Sequence, residues 1–69
     1  MSKYEMRVSW DASDSIYVVE VPELIGCMAH GATRNDAIDN GEDAICAWIE
    51  AASEMGYRIP EPNVRGITA

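Results

Sequence analysis

Apolar and polar residues alternate at the start of this chain. Tyr4, Met6, Val8 and Trp10 fall on one side of an extended backbone, and Lys3, Glu5, Arg7 and Ser9 on the other. That period of two predicts a half-buried strand over residues 3–10. Asp11-Ala12-Ser13-Asp14-Ser15 follows, a run of short polar side chains that bond nearby backbone and so favour a turn. Ile16 to Val21 predicts a second strand, close enough to the first to form a hairpin. Its pattern differs: Tyr17, Val19 and Val21 share one face, while Ile16 and Val18 occupy the other, broken only by Glu20. Strands that are apolar on both sides are usually covered on both. A single helix can cover only one, so a second copy or a partner is expected over part of the other.

Pro22 cannot donate to a ladder and ends the second strand. Gly26 permits a tight backbone, Cys27-Met28-Ala29-His30 predicts a short third strand, and Gly31 ends it. Thr33 is placed as a helix N-cap, with Asp36 as a weaker form of the capping-box acid. From Arg34 to about Met55 the pattern becomes helical, with Gly56 at the C′ position. At 100° per residue, Ala37, Ile38, Gly41, Ala44, Ile45, Trp48, Ile49, Ala52 and Met55 fall in an arc of about 140°. Gly41 costs about 1 kcal/mol of helix propensity relative to Ala, and close approach to the sheet would account for it. Trp10 and Trp48 both occupy apolar-face positions and are expected in the core. Opposite the stripe lie Asp36, Asp39, Asp43, Glu50 and Glu54, either a solvated face or a docking surface for a basic protein. Tyr57 and Ile59 predict a short edge strand ahead of Pro60 and Pro62. The expected fold is α+β in the order β-β-β-α-β, a small antiparallel sheet with one amphipathic helix packed on one face. One domain over 1–62 and a flexible C-terminal tail over 63–69 complete the reading.

Composition narrows the function classes. A chain of 69 residues has a marginal core, so oligomerisation to a dimer or tetramer is expected. The net charge of −7 repels nucleic-acid phosphate and attracts basic proteins. Two cysteines in different elements make neither a disulfide framework nor a metal set, which suits a reducing, cytoplasmic setting. Lys3, Glu5 and Arg7 argue against a signal peptide, and no apolar run approaches a membrane span. His30 is the sole histidine, and Cys27 three residues away points to the opposite face of a strand. No catalytic residue, cofactor site or metal site is assigned, and an enzyme is not expected. The carboxylates expected to meet a partner are Asp11 and Asp14 in the loop, Glu20 on the second strand and Glu23 in the turn.

The motifs fall in a characteristic order: Tyr4-x-Met6-x-Val8, Tyr17-Val18-Val19-Glu20-Val21-Pro22-Glu23-Leu24, Gly26-Cys27, Gly31-x-Thr33, Asp36-Ala37, Ala44-Ile45-x-x-Trp48-Ile49, Gly56 and Ile59-Pro60-x-Pro62. This order, over roughly residues 4–62, resembles the HicB antitoxin family. Ile25 stands where that family often has a second proline, and Ala32 where it often has an acid. The resemblance implies a partial RNase H-like fold without a catalytic role. It also implies an antitoxin of a type II toxin–antitoxin pair, whose partner is HicA, a small basic ribonuclease. Many family members carry a further C-terminal domain that binds operator DNA. This sequence has no room for one after Pro62, so direct DNA binding is not expected. The alternative is a stand-alone oligomeric HicB-like domain with another regulatory role and no toxin partner.

Overall fold

A computed structural model of the chain describes residues 3–62. Strands β1 (Arg7–Asp11), β2 (Ile16–Glu20) and β3 (Met28–Gly31) precede one helix, α1 (Arg34–Glu54). The strands form an antiparallel sheet in the order β1-β2-β3. The fold is α+β, as the pattern predicts.

Hairpin closure lies in Asp11. Its Oδ1 accepts from the backbone N–H groups of Ser13 at 2.9 Å and Asp14 at 3.3 Å, while Ser15 takes the left-handed backbone (φ 53°) that completes the reversal. The register then sets Trp10 beside Tyr17, Val8 beside Val19 and Arg7 beside Glu20. β1 begins at Arg7 instead of residue 3, for a physical reason: β2 supplies no ladder beyond Glu20. The Val21 N–H turns instead to the carbonyl of Cys27 at 3.0 Å. Tyr4 and Met6 keep their inward-facing places, half-buried against the core, and the Glu5 N–H finds the Glu23 carboxylate at 3.0 Å.

The Pro22–Gly26 segment is two successive turns. Leu24 N–H bonds to Val21 O at 3.1 Å and Cys27 N–H to Leu24 O at 2.9 Å, with Gly26 at φ 80° where a side chain would be strained. These turns drive Leu24 into the core, where it is fully buried. Trp48 pins them from the helix by donating its indole N–H to Ile25 O at 2.9 Å.

Helix α1 is capped at both ends by the residues the sequence nominates. Thr33 is extended, and its Oγ1 accepts from Asp36 N at 3.0 Å. At the other end Tyr57 N–H bonds to Ala52 O at 2.8 Å and Gly56 N–H to Ser53 O at 3.2 Å, the paired bonds of a Schellman motif. Ala37, Gly41, Ile45 and Ala52 are buried, and Ile38, Ala44, Trp48 and Ile49 half-buried. Val19, Val21, Leu24 and Cys27 meet them from the sheet side.

Three further expectations are corrected. Residues 57–62 form no strand; Tyr4 Oη donates instead to Pro60 O, so this segment returns to the start of the chain by a side-chain bond. Met55, at the end of the stripe, is the C-cap that follows α1 and is exposed. Trp10 is 53% exposed. The helix lies chiefly over β3 and β2 and meets β1 least, so the outer strand's inward-facing indole is left uncovered. The expected tail, 63–69, lies outside the described residues.

Candidate partner-binding surfaces

The four carboxylates expected to meet a partner do not form one cluster. Asp11 and Asp14 sit at the hairpin end of the sheet, and Glu20 and Glu23 at the other, about 13 Å away along a five-residue strand. Their environments also differ. Asp11 is half-buried and committed to its turn, and Glu23 is half-buried and accepts from Glu5 N. Asp14 and Glu20 are exposed. On α1, Asp36, Asp39, Asp43, Glu50 and Glu54 are exposed along one side, as the pattern predicts. An open depression of about 520 Å³ lies beside the lower helix, lined by Cys46, Ile49, Glu50, Ser53 and Glu54.

The side of the sheet away from the helix carries Ile16, Val18 and Met28, interspersed with Ser9, His30, Arg7 and Glu20. Met28 is 57% exposed there, and Ile25 on the adjoining turn is 89% exposed. At the edge of this side, Asn40 Nδ2 donates to His30 O at 2.8 Å, which satisfies one outward carbonyl of an otherwise open edge strand.

On the helix side, at the hairpin end, three residues gather that no local pattern joins. Trp10 and Tyr17 pack edge to face with ring centroids 4.9 Å apart, and the Arg34 guanidinium lies 5.4 Å from the Tyr17 ring. The alternation of β1 placed Trp10 on the inner face, but nothing in it shows that the helix stops short of this residue.

The cysteines are well separated in character. Cys46 is exposed and Cys27 buried, and burial pushes the Cys27 thiol above its ordinary pKa of 9.0. The sign follows from linkage: the folded state holds this proton more tightly than the unfolded state. Its contribution is intact below 9.0, and stability is lost as pH rises through the raised value. A disulfide-type thiol reagent is therefore expected to modify Cys46 rapidly in the native protein and Cys27 only on unfolding. Equal labelling rates in a time course read by intact mass would contradict this. Among the described residues no group of three or more His, Cys, Asp or Glu side chains could hold a metal ion. No helix among them is long and apolar enough to cross a membrane.

Residues 4–67 match the family described as HicB-like antitoxin of bacterial toxin-antitoxin system. The chain belongs to the HicB-like antitoxin family. Its order of motifs and the sheet-then-helix fold agree with that membership. This HicB-like chain is similar to the UPF0150 protein Ta0767 of Thermoplasma acidophilum, 39% identical over 66 residues that cover 96% of this chain and 94% of that protein. It is also similar to an uncharacterized 14.9 kDa protein in the rep-hol intergenic region of Haemophilus phage HP1, 38% identical over 47 residues. That match covers 68% of this HicB-like chain and 35% of the phage protein. No solved structure matches it significantly.

Proposed function

We propose that this protein is a non-enzymatic antitoxin that binds and masks a small basic ribonuclease of HicA type. The observation that carries the reading is the family match over residues 4–67. Charge supports it: a −7 domain attracts a basic protein at short range, and salt weakens the encounter. The exposed acids are spread over the hairpin, β2 and α1, so the domain presents negative potential broadly instead of at one cleft. Affinity purification of the tagged chain from its source cells, at low and high salt, tests the reading. A small basic protein in near-stoichiometric amount, depleted by salt, is the expected result; recovery of this chain alone would remove the toxin from the account.

Within this reading the four acids separate into two kinds. Asp14→Asn and Glu20→Gln are expected to slow association a few-fold and flatten its salt dependence, with stability unchanged. Asp11→Ala and Glu23→Ala are expected to lower stability as well, because each carboxylate satisfies backbone N–H groups. Stopped-flow association rates beside thermal melts separate the two, and unchanged rates for Asp14→Asn and Glu20→Gln would remove both from the docking surface.

One observation favours a second reading, a self-associating domain without a toxin. Ile16, Val18 and Met28 leave the outer side of the sheet apolar, and Ile25 extends that surface at the turn. A second copy would bury it, and dimer formation and toxin masking are compatible. Light scattering at micromolar concentration decides this part: a monomer would overturn the self-association reading.

A further inference from the structure

We propose that Trp10, Tyr17 and Arg34 form the anchor by which this domain holds its basic partner, with an arginine or lysine of that partner stacked on the open face of the Trp10 indole. The inference rests on the toxin-masking reading and gives that reading a surface.

The first argument is exposure. Trp10 belongs to the inward-facing set of β1, yet it is 53% exposed because α1 lies over the other two strands. Large exposed apolar groups on a small domain mark interaction sites when they are grouped, and this one is. The second is rigidity. Trp10 sits in register opposite Tyr17 and meets its ring at 62°, and Arg34 lies over that ring. An aromatic held in this way loses little freedom on binding, which is what a pre-organised anchor requires. The third is residue type: Trp, Tyr and Arg are the side chains enriched where interface energy concentrates.

Charge chooses the occupant. Asp14 is exposed in the hairpin turn that follows Trp10, while Asp11 faces the other side of the sheet and its carboxylate is held by the turn N–H groups. Asp36 flanks the cluster from the helix, since its backbone lies against Gly31, the β3 neighbour of Tyr17. The Arg34 charge is already directed at the Tyr17 ring. Exposed acids on the hairpin and the first helical turn, in a domain of net charge −7, complement a cation beside a half-exposed indole, and Trp is the best aromatic platform for one. The apolar outer side of the sheet lacks this combination and suits a second copy instead.

The test is a calorimetric titration of the full chain with the small basic protein recovered with it by affinity purification, at low and high salt. Trp10→Ala is expected to weaken binding at least about tenfold, the size a tryptophan anchor gives. Trp10→Phe is expected to fall between the two, because it keeps a ring with a weaker cation–π attraction. Ile25→Ser, at the opposite end of the sheet, is expected to bind as the wild type does. Because Trp10 is more than half exposed, these chains remain folded, which circular dichroism verifies. Equal affinity of wild type and Trp10→Ala overturns the anchor and leaves the antitoxin reading standing. Loss of binding in Ile25→Ser alone places the partner at the other end and overturns the anchor as well. A change of self-association in Trp10→Ala, with partner affinity intact, gives the cluster to a second copy and also overturns it. No binding by the wild type at low salt removes the antitoxin reading and the anchor together.

Discussion

Replacing Gly31 by alanine is expected to remove most of the stability of this domain. A Cβ at this position would lie 2.5 Å from the Ala37 backbone nitrogen, 2.7 Å from the Asp36 carbonyl carbon and 2.8 Å from Asp36 Cβ. Two of these three are backbone atoms of a capped first helical turn, so no rotamer change relieves the overlap. β3 and α1 would have to separate at their tightest junction. Overpacking of this kind costs about 3 kcal/mol, which in so small a domain corresponds to a fall in melting temperature of about 10–20 °C. Gly41 provides the comparison. A Cβ there would meet Val19 Cγ1 at 3.0 Å and Met6 Sδ at 3.3 Å, both side-chain atoms that can move. Alanine also recovers about 1 kcal/mol of helix propensity at that position. Gly41→Ala is thus expected to remain within about 1 kcal/mol of the wild type. Thermal melts of the two variants, followed by circular dichroism, compare backbone with side-chain crowding; equal melting temperatures would contradict the close approach at Gly31.

Leu24→Ala is expected to be the most damaging truncation in the core. Leu24 is fully buried in one cluster with Val19, Val21, Cys27, Ala37 and Ile45. Its backbone is fixed by both turns of the Pro22–Gly26 segment, so the site cannot collapse readily around a smaller side chain. Such truncations cost about 2–5 kcal/mol, with poorly relaxing sites at the upper end. The effect should reach further than the cavity. Leu24 lies between the two turns that present the Ile25 carbonyl to the Trp48 indole, and that bond ties the segment to α1. Urea unfolding should therefore show a lowered midpoint together with red-shifted Trp48 fluorescence, best resolved in a Trp10→Phe background. A midpoint within experimental error of the wild type would mean that this segment contributes little to the core.

Gly31 bears on partner binding through the frame it maintains. The hairpin end carries Trp10, Tyr17, Asp11 and Asp14, and the Gly31–helix junction sets where Arg34 and Asp36 stand relative to them. Loosening that junction should degrade the proposed anchor along with the fold, whereas Trp10→Ala should affect binding alone.

Much of this architecture is legible in the chain because it depends on local rules. Period-two alternation placed Tyr4, Met6, Val8 and Val19 inward, and Thr33 and Gly56 marked the helix ends by their capping chemistry. Gly41 on the apolar stripe signalled close packing, and Asp11 beside Ser13 and Asp14 signalled the turn that its carboxylate closes. The ordered motifs likewise indicated the family. Tertiary structure decided what depends on relative placement. Residues 3–6 alternate as a strand does, yet they lack a ladder because the turn after Val21 removes their partner. Tyr57 and Ile59 have the composition of an edge strand, but the segment is held through the Pro60 carbonyl by Tyr4, a contact 56 residues apart that no local pattern encodes. Trp10 and Trp48 look equivalent in sequence; one is left open and the other bonds to a turn, because the helix is offset toward β3. Periodicity reports which way a side chain faces along its own element, and only the lateral position of the helix on the sheet determines whether anything stands in front of it.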